Sequence, residues 1–584
     1  MIKELSELGK KNREQNVDNK VIHNALKEEP VSIDLVINED GSFSNFISFD
    51  KKPTTAEAIT AKKGKARLLL DKAEEVLGYG GESSNKKHKL FLDKLEQYKD
   101  LTELKPVLLF YGKNKEKGLT KALIEFEKAI PDEKERKGNI AFRLKNSDNR
   151  IHEEQAVVEK IIELYEKEQS ALLNKLKKKC SVCGRDDYPV VDLPHGMIKK
   201  VPAGQTSGCA LVSYNNDAFE SYELKGNNNS AICTNCAKTY VEGLNWLLSA
   251  GPRVKNDKGK EYTAYTNRKN FGSDTAMVFW TRKNEPVNEI NLLDTPTPQE
   301  VANLIDSVVS GQTGIDHNIE IDQFYSCTLS GSAARIAVRD WIETSLIDFR
   351  KAIAQWFQNI AIVYYDSESK KNVIYYSRLY NLAKCCQKEK EDKDIILSRI
   401  AMYLWNAALK NTIPPLWILT AVLKRARLDK NGVTRERAAL IKLILNQNFK
   451  GGDFMVQEKL DPDNKNTAYI CRRIFAVLES LQYHALGETN AGIRERFFSS
   501  ASLTPATAFA RLLKMSQHHL SKLKSDKPGL AVNMDKELQS LICDLQNLPA
   551  TFSLEEQGQF AIGYYHQRQK QFQGTEKKET LKEE

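Results

Sequence analysis

The chain has 584 residues, a formal net charge of +9 and 41% hydrophobic residues, which supports three or four units with buried cores. The mildly basic balance fits a local anionic contact in a larger assembly, or simply a lysine-rich surface, and is far from a histone-like polycation. No apolar run reaches the roughly eighteen residues of a membrane span, no apolar signal-peptide core opens the chain, and ten cysteines suit a reducing cytoplasm and a metal site better than a disulfide framework.

Residues 1–30 read as a charged, amphipathic helical lead. Val31, Ile33, Leu35 and Ile37 then alternate, Asn38-Glu39-Asp40-Gly41 turns the chain, and Phe43, Phe46 and Ile47 continue beyond it. That is a β-hairpin pattern. In Lys62-Lys63-Gly64-Lys65-Ala66-Arg67 four cations occupy six positions, a density that suits a phosphate backbone and a solvated loop equally well. A helical stretch ends near Gly78, and residues 84–178 are mostly helical by pattern. Lys175, Lys177, Lys178 and Lys179 close that region, where cations suit the negative end of a helix.

Two C-x-x-C pairs follow, Cys180 with Cys183 and Cys233 with Cys236, and 49 residues separate them. Each short turn aims two sulfurs at one point, as a closed, tetrahedral structural zinc site requires. Unrelated reduced cysteines and a redox pair are the competing readings. Two separate pairs seldom arise by chance, and nothing nearby has the βαβ pattern of a thioredoxin unit. The four thiolates would clamp the ends of a zinc-ribbon-like insertion.

Inside it, Lys199 and Lys200 precede a small-residue loop, Ala203–Gly208, whose Gly204 and Gly208 permit close backbone approach. Gln205, Thr206, Ser207, Asn215 and Asn216 are short hydrogen-bonding groups suited to phosphates and base edges. They suit a polar hairpin loop as well. An alternating strand is expected through Leu211, Ser213 and Tyr214. His195 stands near a cysteine pair without the carboxylates of a hydrolytic metal site, and reads as a structural hydrogen-bonding residue.

Beyond Cys236 the run Tyr240, Leu244, Trp246-Leu247-Leu248 is helical by pattern. Arg268 and Lys269 sit in a basic loop before an expected strand, Ala276–Trp280, and that loop reads either as a nucleic-acid contact or as an exposed hairpin tip. Residues 283–320 read as a connector with one short helix, Phe324–Leu329 as a strand, and Ala333 to about Asp366 as helix. Helical segments broken at Pro414-Pro415, Gly451-Gly452 and Asp461-Pro462 complete a bundle. One helix face carries Ile470, Ile474, Val477, Leu478 and Leu481, and another Phe509, Leu512, Leu513, Leu520 and Leu523. Thr504-Pro505 has the pattern of an N-cap followed by proline. Arg472, Arg473, Arg511, Lys514 and Lys522 lie off those stripes, as a solvated face or as a surface for single-stranded DNA. Residues 571–584 are a charged tail, expected to be disordered.

The motifs carry a resemblance. His195, Ile198-Lys199, Ala203-Gly204-Gln205-Thr206-Ser207-Gly208, Leu211-Val212-Ser213-Tyr214-Asn215 and Ala218-Phe219-Glu220-Ser221-Tyr222 resemble the signature of the large subunit of the type I-C CRISPR Cascade surveillance complex. In the same order, Asp274–Trp280, the Leu329–Arg339 segment and Gly563-Tyr564-Tyr565-His566-Gln567-Arg568-Gln569 resemble further motifs of that family. Lys72 lies in a segment that resembles another.

The resemblance implies a non-catalytic DNA-binding subunit of a cytoplasmic antiviral complex. It implies recognition of the protospacer-adjacent motif in duplex DNA and duplex opening for crRNA pairing. It also implies partnership with backbone, crRNA-processing and small subunits and with a helicase-nuclease. In the family the small subunit is made by internal initiation, and Met455 is the corresponding expectation here. A zinc-dependent nuclease and a purely architectural subunit are the alternatives.

The expected fold is α+β. An N-terminal α+β domain spans residues 1–178, the cysteine-clamped subdomain 179–330, a helical domain 331–452, and a C-terminal bundle 453–570.

Overall fold

Alternation along the first strand puts Ile33, Leu35 and Ile37 on one face, and that face seeds a core. The computed structural model describes residues 1–15, 23, 25–58, 66–173, 179–186, 195–214, 216–256, 259–309, 322–388, 394–448 and 455–583. The chain divides into two compact units, Met1–Ile198 with Ala210–Trp246, and Lys199–Cys209 with Leu247–Glu584. The division interrupts the cysteine-clamped stretch: the polar loop belongs to the second unit, the cysteines to the first. The architecture is α+β, with a helical C-terminal region.

In the first unit, β1 (Leu26–Ile37), β2 (Phe43–Glu57), β3 (Leu70–Lys72) and β4 (Asn139–Leu144) form a sheet of order β2-β1-β4-β3. β1 and β2 are the expected hairpin. Residues 26–30, expected in the helical lead, extend β1, and the lead itself is the shorter helix Ile2–Gln15. β4 lies inside the region expected to be helical, and pairs parallel to β1 with Leu35 opposite Phe142. A buried parallel strand reads as a short apolar run without alternation, so its period could not separate it from a helix. Helices place Phe91, Val107, Phe110, Phe126 and Val157 against the β1 face. β2 is an edge strand, and Lys51, Lys52 and Pro53 on it discourage pairing with another chain.

The N-terminal helix lies against helix Thr234–Ser249, and the two backbones touch at glycines. A Cβ on Gly9 would overlap the Thr239 carbonyl, and one on Gly243 the Leu5 carbonyl. Ser6 and Thr239 hydroxyls sit 2.7 Å apart beside this contact, and Arg13 grips Glu242 through two bonds of 2.6 and 2.9 Å.

In the second unit, β5 (Arg253–Lys255) and β6 (Glu261–Thr263) form a hairpin, and β7 (Arg268–Phe271), β8 (Thr275–Thr281), β9 (Gln323–Ser332) and β10 (Arg335–Ser345) an antiparallel sheet of order β10-β9-β8-β7. β11 (Ile362–Asp366) and β12 (Lys371–Tyr375) make a further hairpin. Three expected elements form differently. Residues 335–345, expected as helix, are β10: Trp341 stacks on Tyr325 with centroids 5.8 Å apart and meets Trp280 at 5.7 Å, and these cross-strand rings override the helical spacing. The helix starts only at Leu346, where Ser345 caps it by accepting from the Asp348 amide at 3.0 Å. In the first unit, the strand expected through Leu211–Tyr214 does not form, since these residues have no ladder partner. Among its described residues the connector after Thr281 holds two helices, Glu289–Asp294 and Pro298–Val309, where one was expected.

One core continues from this sheet through the helices to the terminal one. Leu440 and Ile444 share it with Tyr469 and Phe560, so the apolar interior is unbroken across the boundary expected near 452. Helix Thr467–Leu486 is buried around most of its circumference. This overturns the exposed-face reading of Arg472 and Arg473, which are 0% and 7% exposed. The Arg472 guanidinium carbon lies 3.7 Å from the Tyr564 ring centroid and 4.1 Å from those of Phe475 and Phe498. Arg473 donates to Gln567 at 3.1 Å. Arg511, Lys514 and Lys522 are exposed along helix Pro505–Asp526. Thr504 does not cap that helix; its hydroxyl donates back to the Ser500 carbonyl. The last helix runs Leu554–Glu583, so the stretch expected to be disordered has helical backbone, consistent with its Glu, Lys and Gln content.

Gly9→Ala is expected to lower unfolding free energy by about 1–3 kcal/mol, because the helices must separate to admit a methyl. Gly81→Ala, whose Cβ would meet nothing within 4 Å, serves as the control in the same urea titration.

Candidate nucleic-acid interface and metal centre

A C-x-x-C turn needs its second pair brought in from elsewhere, and here a helix terminus delivers it. The first pair forms a knuckle: the Cys180 amide donates to the Arg185 carbonyl at 2.8 Å, the Gly184 amide to the Cys180 carbonyl at 2.9 Å, and Gly184 takes the left-handed φ of +74° that closes the turn. The second pair opens helix Thr234–Ser249. The Cys233 amide donates to the Cys180 sulfur at 3.3 Å and the Cys236 amide to the Cys233 sulfur at 3.5 Å. The second pair therefore sits at the partly positive terminus of the helix, with its amides directed at the sulfurs.

The four sulfurs of Cys180, Cys183, Cys233 and Cys236 lie within 4.8 Å of one another, with Cys183 and Cys233 3.9 Å apart. Zinc–sulfur bonds of about 2.3 Å in a tetrahedron place sulfurs about 3.8 Å apart, so the set fits. Cys180, Cys233 and Cys236 are buried. Burial raises the Cys183 thiol, and a hydrogen bond with the Cys236 side chain together with burial raises that of Cys233; a divalent cation among them would offset both effects. Four thiolates leave no open coordination position. Nearby His195 is buried, its Nδ1 is 2.7 Å from the Tyr240 hydroxyl, and burial lowers its pKa, which is the structural role expected of it.

The polar loop is built by backbone contact. The Gly331 amide donates to the Pro202 carbonyl at 2.8 Å, the Gln205 amide to the Ala333 carbonyl at 3.2 Å, and the Cys209 thiol to the same carbonyl at 3.3 Å. A Cβ on Gly331 would overlap the backbone of Gly204, and one on Gly204 the Cys209 sulfur. The β9–β10 turn thus holds both legs of the loop. Gln205, Thr206 and Ser207 remain exposed at its tip, as do Lys199 and Lys200.

Arg268 is not a solvent-facing cation. It is 8% exposed; Nη1 donates to the Lys200 and Leu248 carbonyls at 2.9 and 3.0 Å, and Nε to Asn270 at 2.8 Å. Its function is to fix the entry to the loop. Lys269 is tied to Asp294 at 2.6 Å and to Asn291 at 3.3 Å. Both sit in β7, in place of the basic loop expected.

On the first unit, Asn216 is exposed and Tyr222 stands 96% exposed. Lys72, at the end of β3, lines a cavity of about 340 Å³ with Lys51, Arg67 and Lys137. Arg67 is paired there with Glu29 at 3.0 Å. Lys51 and Lys137 were not singled out from sequence; only strand pairing brings them beside Lys72. Lys62, Lys63, Lys65 and Asn215 lie outside the described residues.

The model of the family described as CRISPR-associated protein (Cas_Csd1) matches residues 5–572. The chain belongs to that family. No curated protein matches it. As a Cas_Csd1 member it is a CRISPR-associated subunit of the Cascade type, and the match covers both compact units.

Two measurements probe the construction of the site. The purified protein is expected to carry about one equivalent of zinc by elemental analysis; Cys236→Ser or a strong chelator removes it and lowers the melting temperature. Arg268→Met leaves two buried carbonyls without a donor and should cost about 1–3 kcal/mol in chemical denaturation. Arg268→Lys restores little, since one ammonium cannot reproduce the forked geometry.

Proposed function

We propose that this Cas_Csd1 chain is the non-catalytic large subunit of a type I-C Cascade complex. It recognises the protospacer-adjacent motif in duplex DNA and helps open the duplex for crRNA pairing. The observation that carries this reading is the loop Lys199–Cys209: exposed Gln205, Thr206 and Ser207 on a backbone fixed at both legs, with Lys199 and Lys200 beside it. A rigid polar tip loses little entropy on meeting base edges, and adjacent lysines supply the sequence-independent phosphate term.

Lys72 with Lys51, and the exposed Tyr222, offer further phosphate and stacking contacts on the first unit. Zinc at the four cysteines has a structural role in this reading. Four thiolate ligands would leave such a metal no open position for water or substrate. Backbone, crRNA-processing and small subunits and a helicase-nuclease are the proposed partners, in the cytoplasm. No helix among the described residues is long and apolar enough to cross a membrane.

Binding of the assembled complex to duplexes that differ only in the flanking motif tests the proposal. Gln205→Ala should weaken binding to the preferred motif by about 1–3 kcal/mol and flatten discrimination at one position. Lys199→Ala should weaken every duplex alike and reduce the salt dependence. Equal losses from Gln205→Ala on all motifs would refute base reading by this loop, and DNA cleavage by the protein with metal alone would refute the non-catalytic assignment.

A further inference from the structure

The terminal helix Leu554–Glu583 and the β11 segment wall a cavity of about 390 Å³ in the second unit. Three guanidiniums line it, those of Arg435, Arg494 and Arg568, against one carboxylate, Glu436. That carboxylate is already engaged, accepting from Arg435 at 3.2 Å and from the Tyr375 hydroxyl at 3.4 Å. The Arg435 guanidinium carbon lies 4.5 Å from the Tyr375 ring centroid and 5.2 Å from that of Tyr364, two rings that meet edge to face. A cation–π contact of this kind restrains a guanidinium while leaving N–H groups available to an anion. Arg494 donates to the Lys430 carbonyl. Arg568 lies 5.2 Å from the Phe572 ring and 3.5 Å from Glu479, which faces the adjoining cavity. The Arg435 and Arg568 side chains keep 44% and 38% of their surface in solvent.

Two independent observations point to a ligand. Tyr565 lines the same cavity, is 4% exposed, and its hydroxyl is buried without a hydrogen-bond partner. A buried donor in that state is costly unless something completes it. Phe572, at the rim, is 45% exposed although it is a large apolar ring. Guanidiniums, an unsatisfied hydroxyl and an exposed ring together match a phosphate joined to a planar base. A bare anion leaves Phe572 unused, and an apolar ligand leaves the arginines unused.

We propose that this cavity binds one nucleotide unit, its phosphate on Arg435, Arg494 and the Tyr565 hydroxyl, and its base stacked on Phe572. A free mononucleotide and one residue of a single strand share this chemistry. The assignment does not depend on duplex recognition by the Lys199–Cys209 loop.

The full-length protein titrated with AMP, with an oligothymidylate and with inorganic phosphate, none of them duplex, tests it. Phe572→Ala removes an exposed ring, and an unchanged melting temperature verifies its fold. It should weaken AMP or the oligonucleotide on the order of tenfold and leave phosphate unaffected. Arg435→Gln should weaken all three probes. An effect on AMP alone assigns a free nucleotide, and an effect on the oligonucleotide alone assigns a strand. Gln205→Ala should leave these affinities unchanged, so failure of motif reading and failure of this site remain distinguishable. Absence of binding by both AMP and the oligonucleotide, or Phe572→Ala and Arg435→Gln binding as the parent does, overturns the proposal.

Discussion

Two backbones can touch only where neither carries a side chain in the way, and the loop Lys199–Cys209 rests on that constraint. Gly204 and Gly331 meet directly, and hydrogen bonds from Gly331 and to Ala333 are fixed by the contact. With the loop's inner amides and carbonyls committed to the β9–β10 turn, the side chains at 205–207 are left at the surface. A Cβ at Gly331 would push the loop off its support and one at Gly204 would collide with the Cys209 sulfur across the loop, so its shape depends on a strand more than a hundred residues away in sequence. Arg268 adds a second anchor at the entry, using a buried cation to satisfy two carbonyls that no strand reaches.

The cysteine centre follows a related logic in the first unit. A knuckle supplies two sulfurs, and a helix N-terminus supplies two more together with a favourable dipole. That helix is in turn seated against the N-terminal helix through Gly9 and Gly243. The thiols converge because their helix is held along its length, and a metal would add to a geometry that packing already favours.

Charge is distributed less simply than composition suggests. Arg472, surrounded by four aromatic rings, and Arg473, bonded to Gln567, belong to the interior. Burial lowers the Arg472 pKa to about 9, which leaves it charged at neutral pH. Arg435, unremarked in the linear pattern, and Arg568, noted there only as part of a terminal motif, keep exposed edges beside aromatic rings. An arginine off a hydrophobic stripe is a surface residue only when its helix has a free side, and helix Thr467–Leu486 has little of one.

Local sequence by itself determined the β1–β2 hairpin, the Cys180–Cys183 knuckle, the buried stripe Ile470–Leu481 and the stretch that becomes the polar loop. In each of these the deciding interactions lie within a few residues, or follow from one face of a periodic element being apolar. Tertiary structure alone decided that 335–345 is a strand, that 139–144 joins the first sheet, that Arg268 is an anchor, and that Lys51 and Lys137 stand beside Lys72. Those outcomes depend on partners distant in the chain, a register with β9 or with β1 and carbonyls presented by another segment, and no short window of sequence contains them.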